Sequence, residues 1–285
     1  MNQEEVNPRA QIVLLWEAKW LVSGVTLGFA ILAAIAAFVI PKQYEAVVVM
    51  SPVSTSGAGG QMGALGSMAS QFGGLAALAG ISVTGDSGKS ESIAVLQSES
   101  LTDTYIRQNG LLPVLFSKKW DAQRNTWKSQ DPQDIPTVWK ANKLFDESIR
   151  KVVINAKTGI VTLTITWREP KLAATWANGL VSMTNDYLRN KTIREAERNI
   201  DYLNGEAAKS NVVEVKQAVY SIMKTEINRE MIARGSNEYA FKIIDPAVPP
   251  ELASSPRKSL WVLVGLAVGL MVSVLVVFIR AGVRT

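Results

Sequence analysis

Neither cysteine nor histidine occurs anywhere in the sequence. Their absence removes Ser-His-Asp and Cys-His nucleophile arrangements, thiolate chemistry, disulfides and the ordinary zinc ligand sets. Acid-base chemistry between two carboxylates survives that exclusion, but no pair of Asp or Glu residues stands out. The residues therefore read as a chain without catalytic side chains, cofactor or metal. Charge of one sign is also scarce. The formal net charge is +5, from 30 Lys and Arg against 25 Asp and Glu, and the two signs are interspersed. That pattern describes a solvated mixed surface and argues against a nucleic-acid partner.

Long apolar runs, by contrast, are present at both ends. Trp20 to Ile40 and Ser259 to Ile279 contain no charged residue, and about 21 residues of helix cover a hydrocarbon core of about 30 Å. Lys19 and Lys42 bracket the first run, Lys258 and Arg280 the second, and Trp16, Trp20, Tyr44 and Trp261 supply rings that favour the headgroup level. A cleaved signal peptide is the competing reading of the first run, because Ala34-Ile35-Ala36 resembles a cleavage site. The apolar stretch continues past that triplet and follows a leader with three Glu residues, so a retained span is expected. Arg280 and Arg284 place the carboxy terminus in the cytoplasm, and an even number of spans returns the amino terminus there. The expected organisation is a cytoplasmic segment 1–19, a span 20–40, a periplasmic domain 41–258, a span 259–279 and a cytoplasmic tail 280–285. The expectation is a two-span inner-membrane protein whose main domain lies in the periplasm or outside the cell, with the lipid bilayer as its first partner.

Neither span holds an ionisable side chain, which excludes an intramembrane ion relay. Each holds a G-x-x-x-G pair: Gly24 with Gly28, and Gly265 with Gly269, the second extended by Ser273. Small residues four apart line one helix face and let two backbones approach, so these five are the candidate packing residues. Chance spacing of glycines, which are frequent in membrane helices, is the plainer alternative.

Between the spans, Tyr44 to Met50 reads as a strand closed by Pro52. Ser54 to Lys89 holds half of the chain's 20 glycines and reads as a loop, with a small-residue helix over 68–78 or a subunit-packing surface as alternatives. GDSGKS within it looks like the end of a phosphate-binding loop, but Val83 stands where that pattern needs glycine. Ser90 to Gln108 is helical, stopping at Asn109-Gly110. Pro113 to Pro136 is a loop pinned by Phe116, Trp120 and Trp127, and Trp139 to Ile149 a short helix. Lys151 to Asn155 and Ile160 to Trp167 form a β-hairpin. Pro170 opens a long helix that turns near Gly205 to Asn211, and a second helix returns to about Gly235, giving a helical hairpin over about 170–234. Tyr239 to Ile244 is a last strand. Pro246, Pro249, Pro250 and Pro256 then make a stiff membrane-proximal leader. The fold class is α+β: two transmembrane helices flanking a domain with a small sheet base and a projecting helical hairpin.

LLWEAKWLVSGVTLGFAILAAIAAFVIPKQYEA near the amino end and YAFKIIDPAVPPELASSPRKSL near the carboxy end resemble the two signatures of the chain-length determinant proteins, the Wzz-type polysaccharide co-polymerases. SIAVLQSESLTDTYIRQNGLLPVLF, KTGIVTLTITWREPKLAATWANGLV and YLRNKTIREAERNIDYL are similar to their periplasmic domain. The resemblance runs from about Gln11 to the end. It implies a ring-shaped homo-oligomer that regulates, without catalysis, how far an inner-membrane polymerase extends a lipid-linked glycan of O-antigen or another surface polysaccharide. The short hairpin departs from larger members, and neither a kinase domain nor a tyrosine-rich tail follows the second span, which points away from the kinase-fused branch. Three other expectations compete: an adaptor for capsule export through an ABC transporter, a carboxylate-based glycan enzyme, and a sensory receptor. The last has only a short tail after Ile279 to signal through.

Overall fold

The computed structural model describes residues 18–53 and 87–282. Most of the glycine-rich stretch, including the possible helix over 68–78, lies outside the described residues. In chain order the elements are α1 (Lys19–Val39), β1 (Tyr44–Pro52), α2 (Ser87–Gln97), α3 (Glu99–Gln108), α4 (Leu112–Leu115), β2 (Trp120–Asp121), β3 (Thr126–Trp127), α5 (Val138–Leu144), a π-turn (Phe145–Ile149), β4 (Arg150–Ile154), β5 (Val161–Trp167), α6 (Pro170–Lys209), α7 (Val213–Gly235), β6 (Phe241–Asp245) and α8 (Lys258–Gly282). They fall into two units, one made of Met1–Tyr44 with Glu251–Thr285 and one of Glu45–Pro250.

In the first unit α1 and α8 are long and apolar enough to cross a membrane. They pack on each other, and most of their large side chains, Leu27, Ile31, Leu32, Leu263, Leu270 and Met271 among them, face outward. In water such exposure would be prohibitive, whereas in a bilayer it is the ordinary state of a spanning helix. Gln43 and Ser255 form an isolated antiparallel bridge, and the Ser254 hydroxyl also donates to the Gln43 carbonyl at 3.1 Å.

The second unit is built on a four-stranded sheet in the order β4-β5-β1-β6. Val161, Leu163 and Ile165 of β5 and Ala46, Val48 and Met50 of β1 alternate onto one face and are fully buried, as a period of two requires when one side of a sheet is covered. Trp176, Ala177, Leu180 and Val181 of α6, together with Phe145 and Ile106, complete the core over it. The β4–β5 hairpin pairs Ile154 with Val161. Its turn is closed by Asn155, whose side-chain oxygen accepts from the Lys157 and Thr158 amides, and by Gly159 at φ +70°, a conformation glycine adopts without steric cost.

Three local details differ from expectation. Ser98 divides the helix expected over 90–108: its backbone is extended (φ −69°, ψ 143°) and its hydroxyl caps α3 by accepting from the Leu101 amide. The Pro113–Pro136 loop carries a one-turn helix and the β2–β3 ribbon, where Trp120 and Trp127 meet edge to face at 4.8 Å. The long helix passes through Gly205 and continues to Lys209, and only Ser210 to Val212 make the turn into α7. A glycine inside a helix costs about 1 kcal/mol, and Ala207, buried beyond it, keeps the last turn of α6 packed.

Candidate functional site

Of the two G-x-x-x-G pairs, the structure places one in a helix contact and one outside it. A Cβ at Gly265 would lie 2.5 Å from the Ala33 Cβ and 3.0 Å from the Phe29 carbonyl oxygen. At Gly269 it would lie 2.8 Å from the Phe29 Cβ and 2.9 Å from the Thr26 Cα. Both glycines are what allows α8 to lie against the backbone of α1 between Thr26 and Ala33. Ser273, one turn further on, is fully buried, and its hydroxyl is satisfied by donating to the Leu270 carbonyl at 2.8 Å. Gly24 and Gly28 point the other way, with nothing within 4 Å of either added Cβ. At the edge of the pair, the Lys258 ammonium sits 3.8 Å from the centre of the Phe38 ring, where the ring face attracts a cation.

In the second unit, two asparagines on α6 hold the chain that leads toward α8. Asn185 is buried; its amide donates to the Phe241 carbonyl and its oxygen accepts from the Ala240 and Phe241 amides at 2.8 and 2.7 Å. Two turns earlier, Asn178 donates to the Ala247 carbonyl at 2.9 Å and accepts from the Ala247 amide at 3.0 Å. Each asparagine thus satisfies both kinds of backbone group on the chain it holds, Asn185 at the buried Ala240–Phe241 and Asn178 at the single buried residue Ala247. Pro246 and Pro249 are exposed and Pro250 and Pro256 half-buried, so of the membrane-proximal segment it is the Ala247 backbone, rather than a proline ring, that α6 grips.

Arg150, at the start of β4, is only 7% exposed. Its guanidinium donates to the Leu96 and Gln97 carbonyls at the end of α2, both at 2.9 Å, to the Thr102 hydroxyl at 2.7 Å, and to Asp146. One buried cation thereby closes the carboxy-terminal end of α2, where a helix favours positive charge. Sequence reasoning missed Asn178, Asn185 and Arg150. The usable signal was polar residues at the margin of an apolar periodicity. Gly88, Lys89 and Ser90, the tail of the rejected phosphate-loop motif, lie within α2.

The α6–α7 hairpin is laced by ion pairs, Arg229 with Glu195 and Arg234 with Glu197. On α7 only Ala233 is buried. Val215, Tyr220, Ile222, Ile227, Met231 and Ile232 are all exposed, an apolar load that a monomeric helix in water does not ordinarily carry.

The model for "Chain length determinant protein" matches residues 10–109, and that for "G-rich domain on putative tyrosine kinase" matches residues 210–282. The chain belongs to the Wzz-type chain-length determinant family. No curated protein matches it. Among solved structures it is similar to a "full-length bacterial polysaccharide co-polymerase", at 11% identity over 96% of this chain and 97% of that one, TM-score 0.39. It is also similar to a fragment of WzzB, the polysaccharide co-polymerase of Salmonella Typhimurium, at 8% identity over 75% of this chain and all of that one, TM-score 0.27. A third is a point mutant of the Shigella flexneri lipopolysaccharide O-antigen chain-length regulator, at 10% identity, the same coverage and TM-score 0.24. A Wzz-type chain with two spans is an inner-membrane protein, and a polysaccharide chain-length co-polymerase.

Proposed function

We propose that the chain is a non-catalytic regulator that works as a homo-oligomeric ring, contacts an inner-membrane polymerase and its growing lipid-linked glycan, and sets the length at which O-antigen or an exopolysaccharide is released. The domain between the spans is periplasmic and the two chain ends are cytoplasmic. The single observation that carries the reading is the pair of family matches, one at each end of the chain and each covering a membrane helix. The exposed apolar residues of α7 support assembly, because a neighbouring copy would remove them from water. The Gly265–Gly269 contact supports a fixed pairing of the spans within one chain, which leaves the Gly24–Gly28 face open.

Deleting the gene and resolving surface polysaccharide by gel tests this function. The regulator reading expects a clustered length distribution to collapse into short, scattered lengths. If surface polymer vanishes while full-length glycan accumulates inside the cell, the chain is instead an adaptor for ABC-transporter-dependent export.

A further inference from the structure

Between α2–α3 and the first half of α6 the domain opens a groove of about 820 Å³, within the range of about 300–1,000 Å³ typical of small-molecule sites. Tyr105 forms part of its wall. The residue is 4% exposed, its ring lies against α6 at Gly179, and a Cβ at position 179 would overlap the Tyr105 hydroxyl. Gly179 sits in the interior of α6, where glycine is costly, and the space it leaves is what the phenol occupies. Among the described residues the Tyr105 hydroxyl has no hydrogen-bond partner. The ring is buried, but the hydroxyl is not among the buried polar atoms left without a partner; it reaches the groove, where a ligand oxygen can accept its proton in place of water. Burial raises the phenol to about 12, so it remains a neutral donor throughout the physiological range.

The rest of the lining narrows the ligand class. Gln108, Ser182 and Asn190 present hydroxyl and amide groups that donate and accept, and Thr104 and Asn109, whose donors bond the Ser100 and Tyr105 carbonyls, add acceptor oxygens. The two carboxylates at the groove are balanced: Glu91 by Lys191 at 2.6 Å and Asp186 by Arg189 at 2.8 Å. No net charge is left to select a phosphate or a basic peptide. Tyr187, 47% exposed, offers a flat ring at the rim, apolar on its face and polar at its tip. Hydroxyl- and amide-rich, uncharged and carrying an aromatic platform, the groove matches a polyol.

We propose that this groove binds a short, uncharged stretch of saccharide, with the Tyr105 hydroxyl donating to a sugar oxygen at its wall and Tyr187 lying against a ring face at its rim. The proposal rests on the reading of the chain as a polysaccharide length regulator and adds the place on its domain where the glycan is held and the side chains that hold it.

The test is calorimetric titration of the full-length protein in nanodiscs with short oligosaccharides released by mild acid from the cell's own surface polymer. Wild-type protein is expected to bind, Tyr105→Phe about five-fold more weakly, as for one lost neutral hydrogen bond, and Ser182→Trp, which fills the groove from an exposed position on α6, not measurably. Light scattering is expected to give both variants the wild-type assembly size. Absence of binding by wild-type protein, or wild-type affinity in either variant, overturns the proposal. So does dissociation of the Ser182→Trp assembly, which would make the groove a contact between copies. If wild-type protein does not bind but deleting the gene still shifts polymer length, the groove proposal fails and the regulator reading stands. If binding persists while deletion leaves polymer length unchanged, the regulator reading fails and the groove stands.

Discussion

Asn185 and Phe241 are joined twice: the asparagine amide donates to the Phe241 carbonyl at 3.1 Å while its oxygen accepts from the Phe241 amide at 2.7 Å. A helix side chain thus supplies the backbone pairing of an edge strand on the side away from β1. Asn185→Ala should destabilise the domain by about 3 kcal/mol, because buried amides and a carbonyl lose their partner together. Asn185→Asp keeps the acceptor but loses the donor and buries a charge, and should not rescue. Unfolding followed by tryptophan fluorescence reads both. Wild-type stability in Asn185→Ala would show that water replaces the side chain without loss.

Arg150 and Asp146 should behave unequally although they touch. Arg150→Met leaves the Leu96 carbonyl and the Thr102 hydroxyl unpaired in the interior and the Gln97 carbonyl unpaired at its edge, and should cost about 3 kcal/mol. Asp146→Ala should cost less than about 1 kcal/mol, since the carboxylate is 55% exposed and Arg150 keeps its other acceptors. Denaturant midpoints of the two variants against wild type decide the point.

Tyr105 gives a pH signature. Its pKa rises from 10.0 to about 12 in the folded protein because burial penalises the phenolate. The folded state therefore holds this proton more tightly than the unfolded state. The associated stability is complete below about pH 10 and is lost as pH climbs toward about 12, by an amount on the order of 2 kcal/mol. Measured against Tyr105→Phe, which has no such proton, wild-type stability should fall across that window. Parallel curves would contradict the desolvation of the phenol.

The two G-x-x-x-G faces should separate cleanly. Gly265→Leu or Gly269→Leu cannot be accommodated while Phe29 and Thr26 keep their places, so each should part the helix pair, lower the thermal midpoint in detergent and only partly restore polymer length control in a deletion strain. Gly24→Leu and Gly28→Leu meet nothing within the chain and should leave the midpoint unchanged. A loss of length control in these two despite normal stability would assign their face to another protein.

The terminal spans were legible because a bilayer demands an uninterrupted apolar run, a constraint that composition alone exposes. The β4–β5 hairpin was legible because Val161, Leu163 and Ile165 keep strict alternation up to a glycine-closed turn. What local pattern could not carry was relative phase. Gly24–Gly28 and Gly265–Gly269 look equivalent in sequence, and only the rotation of α8 about α1 distinguishes them. Asn178 and Asn185 were invisible for a related reason: their partners are backbone groups 69 and 56 residues away, and backbone leaves no trace in side-chain identity. Ser98 was the reverse case, a capping serine followed by Glu99 whose signal was present but submerged in a longer helical periodicity.

The most direct test of the account is complementation: the chain is expressed from an inducible plasmid in the deletion strain, and surface polysaccharide length is profiled by gel densitometry. A regulator that sets length should restore a clustered distribution at the wild-type modal length, with total polymer unchanged. A distribution that stays scattered at full expression, or a return of total polymer without any modal cluster, would contradict it.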